Sequence, residues 1–73
     1  MITGEKNYII LRRKQVEAMT GLSRSSLYLQ MSKGLFPQAV RLTERSVGWT
    51  LESIENWIHS RIAASRASVS HVQ

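Results

Sequence analysis

The sequence predicts an α+β fold of three helices and a two-stranded hairpin, and three observations point to it. Two short helical segments flank a glycine-containing turn at 20–22, and the second of them stops at Gly34. Two runs of alternating apolar character, Ala39 to Leu42 and Ser46 to Trp49, are separated by Thr43-Glu44-Arg45, as in a β-hairpin. Ile54, Trp57, Ile58 and Ile62 then recur at helical spacing and give one apolar stripe. Together these outline a small winged helix-turn-helix, with the hairpin as the wing.

Each element has a local reason. Tyr8 to Leu11 is a short extended run expected to lie against the core, and a first helix from about Arg13 to Met19 presents Val16 and Met19. Gly21 closes that helix in the left-handed conformation. Ser23 is a good N-cap for the second helix, in which Leu27 and Met31 repeat at i and i+4. Leu35-Phe36-Pro37 ends helical structure, because proline restricts the residue before it. In the hairpin, Val40 and Leu42 are expected inward and Arg41 outward, while Gly48 is expected to allow close backbone approach to the third helix. Thr50 caps the third helix, with Glu52 and Glu55 near its positive end. From Ala63 the sequence turns Ala- and Ser-rich, so the helix should fray near Ser65. The resulting layout is a flexible N-terminus over 1–7, a winged helix-turn-helix domain over 8–65 and a disordered tail over 66–73.

Composition narrows the function. A chain of 73 residues supports a minimal core and no deep catalytic cavity, so a binding surface is expected rather than an enzyme. It has no cysteine, which removes disulfides and thiolate metal sites and suits a reducing cytoplasm. No apolar run is long enough for a signal peptide or a membrane span. The net charge of +5 resides in the chain up to Arg45, where Lys6, Arg12, Arg13, Lys14, Arg24, Lys33, Arg41 and Arg45 outnumber Glu5, Glu17 and Glu44. Beyond it, Arg61 and Arg66 balance Glu52 and Glu55. Cations spread over several short elements fit a nucleic acid better than a membrane, which selects for one basic amphipathic helix.

At this point several ordered motifs resemble a known family. Gly21-Leu22-Ser23-Arg24-Ser25-Ser26-Leu27-Tyr28, Gly34-Leu35-Phe36-Pro37, Val47-Gly48-Trp49 and Ile54-Glu55-Asn56-Trp57-Ile58 are similar to segments of the AlpA-like prophage regulators, over about Ile10 to Arg61. These are small winged-helix proteins akin to MerR-type DNA-binding domains and phage excisionases. The resemblance implies a phage or prophage DNA-binding protein that controls transcription, excision or both. Members often carry a basic residue straight after the aromatic of the second helix, where this chain has Leu29.

The candidate contacts follow from helix geometry. With Leu27 and Met31 inward, Ser25, Leu29 and Ser32 point away, and Arg24, Ser26 and Tyr28 lie on the flanks. Recognition helices lead with their N-terminal residues, so Arg24 is the candidate for a bidentate guanine contact and Ser25 for a base edge or phosphate. Ser26 and Tyr28 are phosphate candidates, each with a plain structural alternative: a local backbone bond for Ser26 and core packing for Tyr28. Leu29 is expected to meet Leu35 across the helix cap rather than a thymine methyl. Ser23 and Lys33, at the two ends of the helix, complete its set.

Arg12, Arg13 and Lys14 crowd the positive end of the first helix, an arrangement that an external anion would relieve and that solubility alone would also explain. Arg45 at the hairpin tip, and Arg41 behind it, are placed to reach the minor groove or backbone. Trp49 and Trp57 read as core anchors. His59 and His71 lie too far apart to make a metal site, and no nucleophile motif or phosphate loop is present, so no cofactor is expected. The expected partner is double-stranded DNA. Neighbouring copies of the chain and a phage integrase or RNA polymerase are further candidates, and an excisionase or a small adaptor for an acidic protein are the alternative roles.

Overall fold

The computed structural model describes residues 8–67. Its elements run β1 (Ile10–Leu11), α1 (Arg13–Thr20), α2 (Arg24–Ser32), β2 (Val40–Arg41), β3 (Val47–Thr50) and α3 (Leu51–Ala67), a small α+β winged-helix-like fold.

The two expected helix stops are present and have the expected cause. Gly21 and Gly34 take left-handed backbone, at φ 79° and 74°. At the end of α2, Leu35 N–H donates to the Gln30 carbonyl (2.9 Å) and Gly34 N–H to the Met31 carbonyl (3.0 Å), the paired bonds of a Schellman motif. The starts are equally well defined. Ser23 Oγ accepts from Ser26 N–H (3.2 Å), and Thr50 Oγ1 accepts from Ser53 N–H (3.1 Å).

Six residues form the buried core: Leu11, Val16, Leu27, Phe36, Trp49 and Ile54. They come from β1, α1, α2, the loop after α2, β3 and α3 in turn, so the core is the point where all these segments meet. Phe36 sets its ring edge-on against Trp49 and Trp57, with centroids 6.4 and 4.9 Å apart. Both indoles are hydrogen-bonded as well, Trp49 Nε1 to the Pro37 carbonyl and Trp57 Nε1 to the Leu35 carbonyl, each at 2.9 Å. Trp57 is half-buried, a flank of the core rather than its centre.

Several expectations need correction. The wing is part of a three-stranded antiparallel sheet in the order β1-β3-β2 rather than a hairpin alone, because the Tyr8 to Leu11 run supplies a strand that pairs Ile10 with Thr50 and Leu11 with Trp49. Gly48 makes its close approach to that strand and not to α3. A Cβ placed on it would sit 2.6 Å from Ile10 Cγ2, 2.9 Å from the Leu11 carbonyl oxygen and 3.2 Å from Leu42 Cδ1.

On β2, Arg41 is exposed as expected, but Val40 and Leu42 are exposed too rather than turned inward. Val40 pairs with Gly48 and Arg41 with Val47, so Val40 and Leu42 lie on the face opposite Trp49. Alternation alone gives the period and not which phase faces inward. Met19 and Ile62, read as core positions, are 40% and 44% exposed. Each stands at the end of an apolar repeat, past the reach of the core. Finally, α3 continues through Arg66 and Ala67, two residues beyond the expected end, and the tail beyond it and the N-terminal 1–7 segment lie outside the described residues.

Candidate nucleic-acid interface

Two elements are tied together at the start of α1. Arg12 sits in extended backbone ahead of the helix, its N–H donating to Gln15 Oε1 (2.8 Å). Its Nε donates across 35 residues of sequence to the Val47 carbonyl (3.1 Å), which joins the beginning of α1 to the wing. Arg13 pairs with Glu17 one turn later, so part of its charge is answered within the helix. Lys14 is exposed.

On α2, Arg24 lies over the Tyr28 ring with its guanidinium carbon 5.9 Å from the centroid. This i, i+4 stacking restrains a long side chain at the exposed start of the helix. Ser25 is exposed beside it. Ser23 and Ser26 are differently employed: besides capping the helix, the Ser23 hydroxyl donates to Ser26 Oγ (3.1 Å), and Ser26 is half-buried. Lys33 is exposed at the opposite, negative end of α2, where its charge is favourable.

In the wing, Thr43 Oγ1 accepts from Arg45 N–H (3.2 Å) and donates to Ser46 Oγ (2.9 Å), shaping a tight tip. Arg41 folds back on that tip, its guanidinium donating to the Glu44 carbonyl (3.2 Å), whereas the Arg45 side chain is exposed. Among the described residues, Arg24, Lys14, Lys33 and Arg45 have no carboxylate within ion-pair distance.

The structure brings five of the candidates together. Arg12, Arg13, Lys14, Tyr28 and Arg45, with Val47, line one open depression of about 440 Å³ between the start of α1, the flank of α2 and the wing. Four cations around one depression repel one another, with Glu17 next to Arg13 as partial compensation. An anion seated there would lower that repulsion, and the Tyr28 hydroxyl offers a donor to it. Ser23, Ser25, Ser26, Arg24, Lys33 and Arg41 do not line the depression. Val47 was not singled out from the sequence. Its role depends on pairing with Arg41 and on its carbonyl receiving Arg12, neither of which leaves a local signal.

A second depression of about 480 Å³ lies between α2 and α3, lined by Leu22, Gln30, Leu35, Trp57, Ser60 and Arg61, so it carries one cation rather than four. Among the described residues no group of three or more His, Cys, Asp or Glu is placed to hold a metal ion, and no helix is long and apolar enough to cross a membrane.

The chain is similar to known proteins. Residues 9–62 match the family described as "Prophage CP4-57 regulatory protein (AlpA)". Over 56 residues the chain is also 38% identical to "Uncharacterized protein ORF88" of Enterobacteria phage P4, a match that covers 77% of this chain and 64% of that relative. The family match takes in every element from β1 to most of α3, including both sides of the basic depression, and the chain belongs to the AlpA family of prophage regulatory proteins.

Proposed function

We propose that the chain binds double-stranded DNA in a sequence-specific manner as a prophage regulator, without a cofactor and without catalysing a reaction. The observation that carries this reading is the basic depression. It joins α1, α2 and the wing on one side of the molecule, next to the exposed Arg24 and Ser25 at the start of α2. In this arrangement α2, nine residues and thus about 13 Å long, enters a major groove about 12 Å wide. Arg24 and Ser25 meet base edges, while the depression receives the phosphate backbone and Arg45 follows it toward the adjacent minor groove. An acidic protein would satisfy the same charges. It would not explain an outer α2 face that opens with a stacked arginine and an exposed serine, which is the chemistry of base-edge reading. The site of action on this reading is the cytoplasm, on the nucleoid.

The test is fluorescence anisotropy of the purified chain with the duplex flanking its own gene and with a scrambled duplex, over a salt series. If about four phosphates are engaged, affinity falls roughly 150-fold between 50 and 200 mM salt. Equal affinity for both duplexes, or a flat salt response, refutes the reading. A footprint then separates the two regulatory uses. A palindromic pair of half-sites indicates an operator, whereas repeats of one orientation indicate an excision factor assembled head to tail, where an integrase would be its partner.

A further inference from the structure

Leu29 stands in the middle of α2 with 52% of its surface exposed. The other large apolar residues of this helix are accounted for: Leu27 is fully buried, Met31 packs against the core and Tyr28 carries Arg24. Leu29 points elsewhere. At about 100° per residue it lies about 200° round from Leu27, beside Ser25 and Ser32 on the face turned away from the protein.

A helix-cap contact with Leu35, of the kind a Schellman motif brings, still leaves both side chains more than half exposed, Leu29 at 52% and Leu35 at 58%. The backbone carbonyl of Leu29 is already used, accepting from Lys33 N–H (3.1 Å) and from the Ser32 hydroxyl (2.8 Å). What remains is an isobutyl group between two serine hydroxyls, with Arg24 and Lys33 toward the two ends of the helix.

An isobutyl group cannot hydrogen-bond a base edge, and the apolar feature that a major groove offers is the C5 methyl of thymine. The surrounding cations favour a polyanion over an apolar protein surface as the group that covers it. We infer that Leu29 is a specificity-determining residue that closes over a thymine methyl at one fixed position of the bound site. This rests on the docking of α2 in the major groove proposed above.

The experiment replaces each thymidine of the footprinted site singly with deoxyuridine, which removes the methyl and leaves every hydrogen-bonding group. For the native chain, one position per half-site should weaken binding about fourfold, the weight of one buried methyl-sized group. For Leu29→Ala, checked for native circular dichroism, the same replacement should change nothing, while the salt dependence stays native. Leu29 is exposed, and the native chain tested across the whole deoxyuridine series gives an answer that needs no variant. If the native chain binds its site yet no deoxyuridine position matters, or if Leu29→Ala keeps the discrimination, the thymine assignment is overturned and DNA binding stands. If the native chain binds no duplex, both fall.

Discussion

Gly48→Ala adds a single methyl group to the most crowded point of the sheet. The new carbon would lie 2.6 Å from Ile10 Cγ2, 2.9 Å from the Leu11 carbonyl oxygen and 3.2 Å from Leu42 Cδ1. The φ of Gly48 is not positive, so alanine would meet no backbone strain and would gain about 0.4–1 kcal/mol from the reduced freedom of the unfolded chain. Overpacking costs about 1–3 kcal/mol. The upper part of that range applies, because one of the three obstacles is a backbone carbonyl in a strand whose partner is β3 itself. The net loss is about 1–2 kcal/mol, which in a domain this small lowers Tm by roughly 5–15 °C. Thermal unfolding followed by circular dichroism measures it. Ile10→Leu removes the branched methyl and should recover about half the loss in the Gly48→Ala background, leaving the carbonyl contact, while costing little on its own because Ile10 is partly exposed. A Gly48→Ala protein as stable as the native one, or strict additivity of the two changes, would refute the close approach of β1 to β3.

Other outcomes follow from the same geometry. Arg24→Ala should cost about 1–3 kcal/mol of binding and relax preference at one base pair, whereas Arg45→Ala should weaken all duplexes alike and reduce the salt slope by about one, both by anisotropy. Gly34→Ala places a side chain where nothing lies within 4 Å, so it should lose only the cost of left-handed backbone, about 1 kcal/mol by urea unfolding, and Gly34→Asn less. Ile62→Ser should alter stability by no more than about 0.5 kcal/mol, against about 2–5 kcal/mol for Ile54→Ala, a contrast that checks how far along α3 the core extends.

The elements of this fold were legible because their signals are local. Ser23, Thr50, Gly21 and Gly34 act within one helical turn of themselves, and each does what its chemistry dictates. The failures are all non-local. A two-residue strand at Ile10 and Leu11 carries too little pattern to reveal that it pairs with residues 49 and 50. The phase of β2 is decided by its register with Gly48, not by its own alternation. Met19 and Ile62 fit their helical repeats, yet a core of six residues ends before it reaches them.

At the candidate interface, the outward side of α2 follows from the position of Leu27, and charge counting finds the cations. Which cations share one depression does not follow from either, since Arg12 and Arg45 are brought near each other through the sheet. Nor does the sequence show that Arg41 is held by the Glu44 carbonyl, a contact that a phosphate would have to displace or share.

Both tryptophans anchor the same short loop, Trp49 through the Pro37 carbonyl and Trp57 through the Leu35 carbonyl. The protein therefore carries two native fluorophores hydrogen-bonded to the segment that leaves α2, one fully buried and one half-buried. A rearrangement of that segment when α2 is engaged shifts the emission of both indoles together. A movement limited to the wing reaches Trp49 on β3 and leaves Trp57 on α3 unchanged. Single Trp→Phe proteins would separate the two signals, so the motions of α2 and of the wing can be followed in unlabelled material.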